Sequence, residues 1–342
     1  MMKSFEWVNP RTLTDAASAG TGVTADAMLG KDGNPPADGV ILKAGGIDLL
    51  DLMKEGLLKP RRIVNLQSIP GLDRISQDKN GEVRIGANVT LARIAGEPLL
   101  QTRYRALADA AGRSASPQIR AVATIGGNLL QRPRCWYFRS RHHHCARKGG
   151  SSCFAFGGEN QYHAIFDHHG CAIVHPSTAA TALVAFDAKL ELMQAGGTKR
   201  IVDLEKFFVL PDVDVHRENI LNAGEIVTAI LLPAQSPQVI SIHLKHSEKQ
   251  SFDWPIADVA VVVTRSANGV CQRASIVLGA AAPVPHRAKA AEAALIGKRI
   301  NEQSARAAAE AALIGAAPLS KNAYKVPIFE TLVRRAILAA AA

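Results

Sequence analysis

Apolar and polar positions alternate in short runs through the first part of the chain. LTDAASA (residues 13–19) has helical spacing, VILKAG (40–45) reads as a strand, IDLLDLMK (47–54) as a helix and RIVNL (62–66) as a second strand. The opening is therefore an α/β unit. LDRIS, the turn residues Asp78 to Gly81 and EVRIGAN predict a hairpin, and LARIAGEPLL and YRALADAAGR each predict a helix. Between Gln118 and Ala172 the periodicity stops: TIGGN leads into a stretch crowded with Arg, His, Gly and Cys. A loop of that length inside a folded domain needs something to clamp it. ATALVAFDAKLELM (180–193) reads as a strand with a buried first half, and EIVTAILL and VISIHLKH read as further strands. IADVAVVVTRSANGVCQRASIVLGA predicts a hairpin turning at Asn268-Gly269. Three Ala-rich helical patterns, near 287–296, 302–314 and 324–338, close the chain, and the segment from Pro233 to Pro237 is the best domain boundary.

At 342 residues, with 47% hydrophobic and 20% charged positions, more than one core is expected, and a disordered, collagen-like or disulfide-stapled chain is excluded. Forty basic against thirty acidic residues leave a net charge of +10, which suits an acidic partner surface, a phosphate-bearing cofactor or nucleic acid. The basic residues are scattered rather than set in a stripe interleaved with aromatics, so no nucleic acid is expected. No apolar run approaches the roughly 18 residues of a membrane span, Asp258 interrupting the greasiest stretch. The opening residues hold no secretory apolar core, so a cytoplasmic location is expected unless the chain travels with another subunit.

Two segments set small residues beside a turn: Lys43, Ala44, Gly45, Gly46, Ile47, Asp48 and Leu49, and Thr124, Ile125, Gly126, Gly127 and Asn128. Backbone without side chains lets N–H groups approach phosphate oxygens, and a helix starting at Ile47 adds its positive end. Together they suit a pyrophosphate, although each alone is also simply a tight turn. Neither is the G-x-G-x-x-G of a dinucleotide fold, and no G-x-x-x-x-G-K-[ST] occurs.

Four of the five cysteines, Cys135, Cys145, Cys153 and Cys171, fall in the aperiodic segment, while Cys271 stands apart in a strand as a small buried apolar residue. Disulfides, a structural zinc ion and an iron–sulfur cluster all remain open on spacing alone; the short C-x2-C knuckles usual for zinc are missing. His142, His143, His144, His163, His168, His169 and His175 lie nearby and read as solvated loop residues or as partners to sulfur. No G-x-S-x-G elbow, H-E-x-x-H helix or paired-carboxylate pattern supports hydrolysis. Asp253 and Asp258 read as turn and strand-edge residues.

AGGIDLL and TIGGN, continuing through HPSTAATALVAFDAKLEL, SIVLGAAAPVPHRAKAAEAALIGK and YKVPIFETLVRRAIL, resemble the FAD-binding (medium) subunits of the xanthine dehydrogenase, aldehyde oxidoreductase and carbon monoxide dehydrogenase family. The resemblance implies an α+β chain. Residues 1–232 would form a two-subdomain FAD-binding domain of vanillyl-alcohol-oxidase type, divided near 60, with a four-cysteine insertion over about 132–175; residues 233–342 would form a small α+β domain with a three-stranded sheet and helices. It implies that the stretch Ile41, Leu42, Lys43, Ala44, Gly45, Gly46, Ile47, Asp48 and Leu49, together with Thr124, Gly126, Gly127 and Asn128, holds the FAD pyrophosphate and ribityl chain, with Lys245 near the flavin. Thr178 stands where the family often has Asp, which removes a possible acceptor for the flavin, and the resemblance places SFDWPIADVAV close to the isoalloxazine, which leaves Asp253 and Asp258 a minor role in shaping the flavin face. NLLQRPRC resembles the subset whose four cysteines bind a [4Fe-4S] cluster, here Cys135, Cys145, Cys153 and Cys171. The implied partners are a large molybdopterin subunit, a small [2Fe-2S] subunit and an external electron acceptor, with no catalytic acid or base in this chain and a periplasmic location if a partner carries a twin-arginine signal. A self-contained FAD oxidase of the same fold and a zinc-bearing scaffold are the alternatives.

Overall fold

The opening run folds as a parallel sheet in the order β1-β3-β2, in a computed structural model that describes residues 4–20, 22–29, 39–194, 196–249 and 252–341. Residues 1–3 of the opening segment thus lie outside the described residues. The elements are β1 (Glu6–Val8), α1 (Leu13–Ala19), β2 (Val40–Lys43), α2 (Ile47–Lys54) and β3 (Arg62–Asn65). Thr12 caps α1 by accepting the Asp15 amide at 3.1 Å, which fixes the helix start. Val40 and Glu6 both pair with Arg62, so β3 is central and β2 delivers the chain into the first glycine turn at its C-terminal end.

The second sheet runs β4-β5-β8-β6-β7, entirely antiparallel. The predicted hairpin forms β4 (Ile75–Gln77) and β5 (Val83–Gly86), its turn held by Asp78 Oδ1, which accepts the amides of Asn80 and Glu82. LARIAGEPLL divides at Glu97 into α3 (Leu91–Gly96) and α4 (Pro98–Arg103), because proline fits the first turn of a helix but disfavours helical geometry in the residue before it. Next come α5 (Arg105–Gly112), α6 (Pro117–Val122), α7 (Ile125–Leu129) and α8 (Trp136–Arg139); the last three are short helices within a stretch that carries no period in sequence.

The strand expected over 180–185 is instead α9 (Thr178–Ala185), and only the second half of that run is β6 (Lys189–Met193). All eight residues of α9 are buried, so its sequence carries no polar face to mark a helical period. Ser177, which accepts the Ala180 amide at 3.0 Å, and the high helix propensity of alanine decide the conformation. Asp187, at φ +54°, turns the chain into β6. The sheet then completes with β7 (Lys199–Asp203) and β8 (Ile226–Leu232).

The C-terminal part has three long strands, β9 (Val239–His246), β10 (Ala257–Arg265) and β11 (Cys271–Gly279), with a two-residue strand β12 (His286–Arg287) added at one edge. α10 (Lys289–Leu295), α11 (Glu302–Ala311) and α12 (Lys325–Ala339) cover one face of this sheet. The other face meets α5 and α9, with Ala260, Val262 and Val277 in one apolar cluster with Leu107 and Leu183. Burial on both faces explains why β10 is a nearly unbroken apolar run.

The cysteine-bearing insertion is clamped against this domain. Asn322 Nδ2 donates to the carbonyls of His163 and Ala164 at 3.1 and 3.0 Å, and Lys325 Nζ, fully buried, donates to His163 O at 3.0 Å and Ala280 O at 2.6 Å. Buried donors thus satisfy a loop that supplies few ladder bonds of its own.

Because Leu183 is buried between two sheets, Leu183→Ala leaves a cavity that neither layer can close. The expected loss is about 2–5 kcal/mol of unfolding free energy, read by urea denaturation; a loss below about 1 kcal/mol would contradict the two-sided packing.

Candidate functional site

The two glycine segments touch. Gly45 packs so closely on the second segment that a Cβ there would lie 2.4 Å from Val122 O and 3.2 Å from both Ala123 Cα and Thr124 N. Gly46 follows at φ +82°, a conformation that favours glycine, and α2 begins at the next residue. Gly46 brings no side-chain cap, so the first-turn N–H groups of α2 gain no acceptor from that position. In the second segment Thr124 caps α7, its Oγ1 accepting the Gly127 amide at 3.2 Å, while the Gly126 amide donates to Ala87 O at 2.9 Å. Gly127 is the open position: an added Cβ would meet only Thr124 Oγ1.

These backbones line a cavity of about 750 Å³, within the range of small-molecule and cofactor sites. Every residue expected to hold the FAD lines it: residues 41–49 of β2, the turn and α2, Thr124, Gly126, Gly127 and Asn128 of the second turn, and Thr178 and Lys245 on the far wall. Lys43 Nζ is engaged by Gln67 Oε1 at 2.7 Å and lies over the Trp7 ring. Thr178 Oγ1 lies 2.7 Å from Ser114 Oγ and 3.3 Å from Ala110 O, so its hydroxyl is held by the end of α5. Lys245 Nζ donates to the carbonyls of Arg113 and Asp253, and burial lowers its pKa below the ordinary lysine value. Asp253 lines the cavity, whereas Asp258 is buried away from it, 3.3 Å from His243 Nε2, which corrects its reading as a strand-edge residue.

Phe252 and Trp254 are 60% and 47% exposed and also line the cavity, Trp254 carrying the Arg134 guanidinium 4.7 Å from its ring centre. The family resemblance places SFDWPIADVAV close to the flavin ring, but the two aromatics themselves are not singled out by the sequence. Sequence reading missed the segment Arg217, Glu218 and Asn219, whose role depends on contacts made far along the chain.

An acidic residue in the first turn of α2 would repel a phosphate, but Asp48 is neutralised. Its carboxylate accepts the Arg132 amide at 2.8 Å, Arg139 Nη2 at 2.7 Å and Arg134 Nη2 at 2.9 Å, and Arg134 and Arg139 also pair with Asp51. The arginines that open the insertion therefore hold the glycine-turn helix, and Arg132 and Arg134 line the cavity with it.

The four cysteines of the insertion, Cys135, Cys145, Cys153 and Cys171, line one small second cavity together with Tyr137, Phe138, Arg147 and Phe154. All five cysteines are free thiols, so the disulfide alternative is not realised; Cys271 is buried in β11, as expected of a small apolar residue. Among the described residues no group of three or more His, Cys, Asp or Glu is arranged to hold a metal ion. Burial pushes the Cys135 thiol up to about 12. Cys171 is held down at about 5 by a hydrogen bond from Cys153 and by the Arg147 guanidinium, against the effect of burial.

His163 is the one histidine of the insertion with a contact to a cysteine sulfur among the described residues, its Nε2 lying 3.2 Å from Cys135 Sγ. Burial, then Lys325, lowers its pKa to about 4, so the ring is neutral. His143, His144 and His168 instead engage Ser140 Oγ, Lys148 O and Ala317 O, and His175 accepts the Ser177 amide. Trp136 and Tyr137, isolated in sequence, form an aromatic cluster with Tyr162, His163 and Phe154 beside the thiols.

Residues 3–235 match the family described as the FAD binding domain in molybdopterin dehydrogenase, and residues 242–340 match the CO dehydrogenase flavoprotein C-terminal domain. The aldehyde oxidoreductase FAD-binding subunit PaoB of Escherichia coli (strain K12) is 32% identical over 287 residues, covering 83% of this chain and 86% of its own. The carbon monoxide dehydrogenase medium chain of Hydrogenophaga pseudoflava is 28% identical over 341 residues, covering 98% of this chain and 96% of its own. A solved carbon monoxide dehydrogenase from Hydrogenophaga pseudoflava, lacking the Mo-pyranopterin moiety of its cofactor, superposes with a TM-score of 0.73 at 26% identity, covering 99% of this chain and 98% of that one. With two touching glycine turns around one cavity and both domains matched in order, the chain belongs to the FAD-binding medium subunits of the molybdenum hydroxylase family of xanthine dehydrogenase, carbon monoxide dehydrogenase and aldehyde oxidoreductase.

Proposed function

We propose that this chain is the electron-transfer subunit of a molybdenum hydroxylase of xanthine dehydrogenase or aldehyde oxidoreductase type, carrying FAD and a [4Fe-4S] cluster. Electrons would arrive from a molybdopterin subunit and a [2Fe-2S] subunit and leave to an external acceptor. The observation that carries the reading is the convergence of both glycine turns on one cavity with the four-cysteine cavity clamped against the same helix. FAD, when bound, supplies a store for two electrons that can be delivered one at a time.

This chain's own residues bind and orient. The backbone around Gly45, Gly46, Ile47 and Asp48, and that of Thr124, Gly126, Gly127 and Asn128, would meet the diphosphate and ribityl chain with N–H groups and no side chains. Thr178 and Lys245 would flank the ring system. Thr178 offers a hydroxyl where a carboxylate would bring charge, and Lys245 brings a cation held by two carbonyls. Phe252 and Trp254 would limit water at the rim.

Cys135, Cys145, Cys153 and Cys171 would ligate the cluster. The short C-x2-C knuckles usual for zinc are missing from the sequence, and the four thiols line one shared cavity. The fit of an anionic occupant is supported by Arg147, 1% exposed, which lines that cavity and whose Nη2 lacks a partner among the described residues. Four thiols with a guanidinium at Cys171 are a donor set that suits an iron–sulfur centre.

Absorbance and metal analysis of anaerobically purified protein test the assignment. Flavin bands with a broad iron–sulfur shoulder are expected; flavin alone would remove the cluster, and a colourless protein with stoichiometric zinc would remove the proposal. Gly46→Val or Gly127→Val is expected to reduce retained FAD at least tenfold, measured on the desalted protein, while unchanged flavin content would show the turns to be structural only. Cys153→Ser is expected to lose iron while FAD stays, because the arginines that hold Asp48 are separate from the ligand; retention of full iron would remove Cys153 from the ligand set.

A further inference from the structure

One run of buried charge joins the two cavities. Glu218, which lines the larger cavity, accepts Arg147 Nη1 at 2.6 Å and pairs with Arg132 Nε at 3.2 Å. The Arg132 amide donates to Asp48 in the first turn of α2. At the other end Arg147 lines the cysteine cavity, its Nε 3.5 Å from Cys171 Sγ and its Nη2 buried without a partner among the described residues. A guanidinium at 1% exposure ordinarily has its N–H groups satisfied, so the unpartnered Nη2 of a residue lining the cysteine cavity is a donor open to an acceptor there.

We propose that Arg147 is a positioning residue for the centre held by the four cysteines. Nε–H donates to the Cys171 sulfur and Nη2–H to a sulfur of the occupant, raising the reduction potential of that centre, while Glu218 sets how much of the guanidinium charge is felt. This rests on the [4Fe-4S] reading. Reduction adds one electron and no proton, and no bond is made or broken, so the centre gains one unit of negative charge. A buried cation and hydrogen bonds to sulfur favour that more negative state. Removing the cation lowers the potential; removing the carboxylate that offsets the cation raises it. Because Glu218 also faces the flavin cavity and Arg132 holds Asp48, the same charges set the two redox sites relative to each other.

The test is a dithionite titration of the purified full chain, with mediators, following the iron–sulfur electron paramagnetic resonance signal, and with iron and flavin assayed on the same samples. Arg147→Gln is expected to keep iron and to shift the midpoint potential down, Arg147→Lys to shift it down by less, and Glu218→Gln to shift it up. Unchanged midpoints in both Arg147 variants at full iron would overturn the proposal. Shifts of the same sign in Arg147→Gln and Glu218→Gln would also overturn it, since loosened packing rather than charge would then be at work. If Arg147→Gln does not retain iron, Arg147→Lys and Glu218→Gln decide by the same signs. Wild-type protein with full FAD and no iron would overturn this proposal together with the cluster reading, whereas iron-loaded protein with unmoved potentials would overturn this proposal alone.

Discussion

The structure depends on a place where no side chain fits. At Gly45 the first turn rests on the backbone of residues 122–124, and even a methyl group would drive into Val122 O. That contact sets the distance between two segments far apart in sequence and opens the cavity on the side they share. Both backbones arrive there from well-fixed elements: β2 and its parallel partner β3 carry the first turn, and the Thr124 cap and the Gly126 bond to Ala87 carry the second. Rigidity upstream is what lets bare backbone act as a binding surface, because mobile N–H groups would lose more order on meeting a diphosphate.

Charge supplies the second layer of the account. The helix that begins at the first glycine turn brings Asp48 and Asp51 to the cavity, where they would oppose an anionic ligand if left alone. Arg134 and Arg139 neutralise them and the Arg132 amide donates to Asp48, and since these residues open the cysteine-bearing insertion, that segment is tied to the cofactor cavity. Buried ion pairs are costly to assemble from water and costly to break by removing one member, which favours a single register for the insertion. The carbonyl contacts from Asn322 and Lys325 fix its other side on the C-terminal domain.

Much of this was readable in advance where one face of an element meets solvent. α1, α2 and β9 begin and end where pattern and caps place them, and the β10 to β11 hairpin turns at Asn268-Gly269. α9 was hidden because all its positions are buried, so neither a helical nor a strand period could show. The edge strands β1 and β12, three and two residues long, are made by partners rather than by their own pattern. The candidate binding positions were legible through glycine and through the family resemblance, and each lines the cavity. The pairing of Glu218 with Arg132 and Arg147, and the aromatic rim at Phe252 and Trp254, were not, because such contacts join residues with no sequence relation to the turns.

The most direct test of the central claim is a crystal structure of the protein with FAD bound. The account predicts the diphosphate within hydrogen-bonding distance of backbone N–H groups from both glycine turns at once, with Gly45 still seated on residues 122–124. A diphosphate held by one turn alone, or by side chains elsewhere with the turns apart, would contradict it.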